Sequence, residues 1–121
     1  MKKQQPNDAV VSLIWDLLDE MKAYNTVRMN VAKMSTLTEN LIITSATSTT
    51  HAKAIANFVE DEMKKYNNPP ARIDGIIEGT WIVMDFGTTI VHIFAEDLRE
   101  YYHLEKLWSD GKNIQNKKEL K

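Results

Sequence analysis

Pro6-Asn7-Asp8 suits the start of a helix, because Asn7 or Asp8 can accept an orphan backbone N–H. Apolar residues then recur at Val10, Val11, Ile14, Trp15, Leu17, Leu18 and Met21, the rhythm of a helix with one buried stripe. The pattern predicts an amphipathic helix from Asp8 to Tyr24, broken at Asn25. From Thr26 to Val31 the period changes to two, with Val27, Met29 and Val31 on one side and Arg28 and Asn30 on the other, as in a half-buried strand. Leu41-Ile42-Ile43 is continuously apolar and suits a strand covered on both faces. Ser48, Thr49 or Thr50 can cap a second helix, His51 to Tyr66, with Ala52, Ile55, Val59 and Met63 on one stripe. Asn67-Asn68-Pro69-Pro70 stops it. Strands over Thr80–Phe86 and Thr89–Phe94 are close enough to form a hairpin, with Gly87 supplying the positive-φ residue. A third helix is expected over Ala95–Asp110, its apolar side made of Leu98, Tyr101, Tyr102, Leu104, Leu107 and Trp108, with Gly111 as its stop.

This order predicts an α/β (α+β) single domain: a mixed β-sheet with helices packed on it, antiparallel at the hairpin and parallel across the second helix. The domain is expected to span residues 6–110. Residues 111–121 are expected to be a basic flexible tail, with four lysines and one glutamate from Lys112 onward. The 121 residues are one domain's worth, and 43% hydrophobic with 26% charged residues is a globular balance. Cysteine is absent, which removes disulfide scaffolds, thiolate metal centres and thiol catalysis together. The net charge of −2 argues against a broad grip on nucleic-acid phosphates. The start has the charge of a signal peptide but no apolar core behind it, so a soluble, cytoplasmic protein is expected.

Catalytic patterns fail one by one. Asp85-Phe86-Gly87 spells the kinase magnesium tripeptide, but the Gly-rich loop, strand lysine and His-Arg-Asp of a kinase are missing, and a hairpin turn accounts for it. Thr44-Ser45-Ala46-Thr47-Ser48-Thr49-Thr50 leads from a buried strand into a helix N-terminus, a geometry that offers hydroxyls and N–H groups to an anion. It lacks the glycines of a phosphate loop, and no pair of closely spaced carboxylates follows to hold magnesium. His51, His92 and His103 include no pair at helical metal spacing, and His92, in an apolar strand, reads as a hydrogen-bonded core or rim residue. Neither metal nor cofactor is expected, and the chain reads as a non-enzyme. The alternative is a nucleotide-binding or nucleotidyltransferase-like enzyme using the Ser/Thr-rich loop.

What remains is aromatic and acidic. Trp81, Phe86, Phe94, Tyr101, Tyr102 and Trp108 fall in the last third of the chain, and Trp81, Val83 and Asp85 alternate on one strand face. Residues 95–110 hold five acids against Arg99 and Lys106. Such a face suits a basic protein partner. An exposed hairpin edge and an aromatic surface would also suit a homodimer.

Glu78-Gly79-Thr80-Trp81-Ile82-Val83-Met84-Asp85-Phe86-Gly87, then Ile90-Val91-His92-Ile93-Phe94, resembles the ribosomal silencing factor family, RsfS, also called Iojap-like. The likeness continues through Arg99-Glu100-Tyr101-Tyr102-His103-Leu104-Glu105-Lys106-Leu107-Trp108-Ser109-Asp110. Upstream, Leu37-Thr38-Glu39 leading into Leu41-Ile42-Ile43, the Ser-rich loop and Ala54-Ile55-Ala56 follow the family's layout. Two departures stand out: Thr38-Glu39-Asn40 where the family usually has Thr-Asp-Tyr/Phe, and Ser45-Ala46-Thr47 where it usually has Ser-Gly-Thr. The resemblance implies a nucleotidyltransferase-like fold without catalytic carboxylates. It also implies a translation factor that binds the large ribosomal subunit at its fourteenth-family protein, with rRNA beside it. There it would block subunit joining by steric exclusion when nutrients are scarce, a stress response. The residues expected to form or support the contact are Trp81, Asp85, Phe86, Tyr102, Glu105 and Trp108. Trp81 is the expected anchor, and Asp85 and Glu105 are the expected partners for Arg or Lys.

Overall fold

The computed structural model describes residues 7–95 and 114–116. Helix α1 spans Asn7–Glu20, followed by strands β1 (Tyr24–Asn30) and β2 (Asn40–Ala46), helix α2 (Thr49–Lys65), and strands β3 (Arg72–Asp74), β4 (Trp81–Asp85), β5 (Thr89–Ala95) and β6 (Ile114–Asn116). The six strands form one sheet in the order β3-β4-β5-β2-β1-β6. Among the described strands only the β2–β5 pairing is parallel, and α2 lies within the connection that makes it so.

The first helix ends at Glu20, four residues short of the predicted end at Tyr24. Lys22 takes a left-handed conformation (φ 64°), its N–H bonds to the Asp19 carbonyl, and the Ala23 N–H reaches back to Leu18. This paired closure caps the helix without a glycine and releases Tyr24 into β1. The same closure ends α2 at Asn67 (φ 60°), where asparagine followed by two prolines had made the stop readable. At the other end, the Ser48 hydroxyl accepts the His51 N–H and caps α2.

Each face of the sheet carries its own core. On one, Val11, Ile14 and Leu18 of α1 and Ile55, Val59 and Met63 of α2 pack on Ile42, Ile82, Met84, Val91 and Ile93. On the other, Met29, Val31, Leu41, Ile43 and Phe94 are buried together, with Val27, Trp81 and Ile90 packed at the margin. The apolar run in β2 is thus the strand shared by both cores, and all seven of its residues are buried.

Three expectations need correction or placement. The hairpin of β4 and β5 is not the open edge expected, because β3 pairs outside Val83–Asp85 of β4 and β2 pairs along the whole of β5. Ile114–Asn116, expected within a flexible tail, instead pairs antiparallel with Val27–Met29 as strand β6. The expected third helix lies outside the described residues.

Thr89 supplies a test of packing. It is fully buried at the start of β5, and among the described residues its hydroxyl has no hydrogen-bond partner. A buried hydroxyl left unpaired costs on the order of 1–3 kcal/mol, and valine has the same shape without it. Thr89→Val is therefore expected to raise stability by about 1 kcal/mol in urea denaturation. A loss of stability would show that the hydroxyl is satisfied.

Candidate functional site

The hairpin that carries the candidate residues is closed by its own side chains. The Asp85 carboxylate accepts the Gly87 N–H (2.8 Å), the Phe86 N–H bonds to Thr89 O (2.8 Å), and Gly87 has φ 87°. Asp85-Phe86-Gly87 is a turn, as its place between two strands implied.

Strand alternation then separates the candidates. Trp81, Val83 and Asp85 are half-buried on the face of β4 away from α1 and α2, while Ile82 and Met84 point into the helix-side core. Phe86 continues the inward set: it is 9% exposed and belongs to the helix-side core. It therefore lies on the opposite side of the strand from Trp81 and Asp85, placed behind their face rather than on it. Trp81 and Asp85 do share a face, but they stand at opposite ends of the strand, about 13 Å apart at strand rise. Tyr102, Glu105 and Trp108 lie outside the described residues.

Around Trp81 the geometry is tight. Its indole Nε1–H donates to His92 Nδ1 at 3.0 Å. Its ring stacks on Phe94 with centroids 5.2 Å apart and planes 25° from parallel. Phe94 is directly opposite Trp81 in the β4–β5 register, and His92 is opposite Val83, so the indole lies diagonally over its acceptor. His92 is flanked across the strands by Val83 on β4 and Ile43 on β2, both apolar. Burial accordingly holds the imidazole well below its ordinary range, at about 4. At neutral pH the ring is uncharged with its proton on Nε2, the tautomer that leaves Nδ1 free to accept.

Beside this surface, β3 pairs with Val83–Asp85, so Arg72 and Asp74 share the face of Val83 and Asp85. Residues 72–85 hold Asp74, Glu78 and Asp85 against Arg72 alone, and Arg72 is paired with Asp74 at 3.0 Å. The connecting loop exposes Ile77 (82%), a residue the sequence reading did not single out. Its signal was there: an Ile-Ile pair enclosed by Gly75 and Gly79, one member turned to the core and the other to solvent.

The Ser/Thr-rich loop is occupied with its own structure. Ser48 caps α2, the Thr47 N–H donates to His51 Nδ1 (3.0 Å), and His51 Nε2 donates to the Met21 carbonyl (2.8 Å), tying the loop to the end of α1. The Thr44 hydroxyl bonds to Thr26 (2.6 Å) and to the Tyr24 carbonyl (3.2 Å). Gly79 lies so close over the first turn of α2 that a Cβ there would come within 3.0 Å of the Thr49 carbonyl. Among the described residues, no three His, Asp or Glu side chains cluster as a metal site. A cleft of about 1060 Å³ opens at the hairpin-turn end, lined by Leu37, Glu39, Tyr66, Asn67 and Phe86 among others.

These features define a small α+β domain whose distinctive surface is an acidic strand rim with one aromatic residue held in place. The profile of the family described as ribosomal silencing factor during starvation (RsfS) matches residues 3–121, and the chain belongs to that family of translation regulators. A Haemophilus influenzae ribosomal silencing factor RsfS is 38% identical over 101 residues, covering 84% of this chain and 99% of that one. The chloroplastic protein Iojap of Zea mays is 29% identical over 79% of this chain, which spans 42% of that longer protein. A crystal structure of a Chromobacterium violaceum protein superposes with a TM-score of 0.83 at 25% identity, covering 86% of this chain and 87% of that one. No described helix is long and apolar enough to cross a membrane.

Proposed function

We propose that this chain acts in the cytoplasm by binding the large ribosomal subunit and sterically blocking subunit joining, lowering translation under nutrient limitation. It works by occupancy, with no bond made or broken. The contact is made with a basic ribosomal protein, the fourteenth-family member, beside rRNA, through the β3–β4 rim with Trp81 as anchor. The observation that carries this reading is the indole of Trp81: half-buried, wedged between His92 and Phe94, and set in a stretch with three acids and one base. Aromatic anchors in rigid surroundings dominate protein interfaces, and an acidic rim is steered toward a basic surface.

Sedimentation of purified subunits with and without the protein tests the reading. Co-migration with the large subunit and fewer joined ribosomes are expected. Trp81→Ala, with its fold checked by circular dichroism, is expected to weaken large-subunit binding by at least about 2 kcal/mol, roughly thirtyfold. Unchanged binding by a folded variant would remove Trp81 as the anchor. Migration of the wild-type protein away from subunits, together with a thermal shift on adding magnesium and a nucleotide, would favour an enzyme instead.

A further inference from the structure

We propose that His92 is a positioning residue for the docking anchor: its Nδ1 holds the Trp81 indole N–H, fixing the ring in the orientation that meets the partner. The proposal rests on the docking role of Trp81 argued above.

An indole N–H is a donor only, and a half-buried one needs an acceptor. In β5 the residue diagonal to Trp81 supplies it, at 3.0 Å, while Phe94 braces the ring by stacking. The His92 and Phe94 rings are themselves nearly parallel, 11° apart with centroids at 6.4 Å. The indole is therefore set on two rings presented by one strand. The hydrogen bond has a strict requirement: a lone pair on Nδ1, which only the uncharged imidazole with its proton on Nε2 offers. Burial among apolar neighbours keeps the ring in that form across the physiological range.

The consequence for binding is preorganisation. A tryptophan whose N–H is already satisfied presents its apolar ring rather than its polar edge, and it gives up little rotamer freedom on docking. Without the acceptor, the indole is free to turn its N–H toward water, and part of the docking free energy goes to reordering it. The expected effect is about three- to tenfold faster dissociation, the size expected for one side chain that must be ordered anew.

The test uses the full chain and purified large ribosomal subunits. His92→Phe keeps a ring and removes the acceptor. His92→Asn places an amide oxygen where Nδ1 stood, and His92→Gln has a similar polarity but carries its amide further out. The ¹H–¹⁵N indole resonance of Trp81, assigned by its loss in Trp81→Phe, reports the hydrogen bond directly. Expected are a shifted indole resonance and faster dissociation in His92→Phe and His92→Gln, with both restored toward wild type in His92→Asn. Should His92→Phe fail to fold, the Gln–Asn pair carries the comparison. Unchanged dissociation in folded His92→Phe or His92→Gln, while Trp81→Ala still weakens binding, overturns the positioning role and leaves the docking reading standing. Unchanged binding in Trp81→Ala overturns both.

Discussion

Gly75→Ala is expected to destabilise the protein by at least about 3 kcal/mol, lowering the thermal midpoint by on the order of 10 °C. Gly75 follows β3 with φ 84°, a conformation that costs an L-residue roughly 1–2 kcal/mol. The larger part comes from space: a Cβ at this position would lie inside the contact distance of the Trp81 carbonyl oxygen, a backbone atom that can give way only by moving the start of β4. The variant therefore shifts Trp81 itself, and large-subunit binding should fall with stability. Gly87 is the control. Its φ is 87°, but among the described residues nothing lies within 4 Å of a Cβ there, so Gly87→Ala is expected to lose only the conformational part, about 1 kcal/mol. Thermal melts of the two variants side by side decide the point, and equal losses would show that the close approach to Trp81 has no energetic weight.

Acidification is expected to weaken the fold through His92. Its folded-state value is lowered from 6.5 to about 4 by burial, so between those values the unfolded chain takes up a proton that the native chain refuses. Stability from this group is fully present above pH 6.5 and is lost as the pH falls toward 4, with no further loss below. The amount is about 3 kcal/mol when the whole window is crossed. Asp and Glu residues begin to titrate at the acid end, so the informative quantity is the difference between wild type and His92→Phe. Urea denaturation at several pH values across the window should give a steeper pH slope for wild type. Parallel slopes would mean that His92 titrates alike in folded and unfolded chains.

Much of the architecture was legible because local chemistry and tertiary context agree. The continuous Leu41-Ile42-Ile43 run could be satisfied only by burial on both sides, and β2 lies between the two cores. Asn67-Asn68-Pro69-Pro70 had one reading, and α2 stops there. The end of α1 was not legible, since Lys22 in a left-handed conformation leaves no mark in the sequence and the first breaker that could be read is Asn25. A strand between α2 and the hairpin was expected, but the three residues of β3 are too short for a period to place it, and β6, equally short, was not expected at all. Within the site, the face shared by Trp81 and Asp85 followed from alternation, and the same alternation, carried one residue further, places Phe86 in the opposite core.

The amino-acid sequence by itself determined the mixed sheet, the hairpin at Gly87 and, through an ordered set of motifs, the family. Those features depend on spacing along the chain, which the sequence states outright. Only the tertiary structure decided that Trp81 gives its N–H to His92, that Gly75 touches the strand that carries Trp81, and that the hairpin's outer edge is covered by β3. Each is a relation between residues brought together by strand register, and register is set by how two cores fill at once on opposite faces of one sheet.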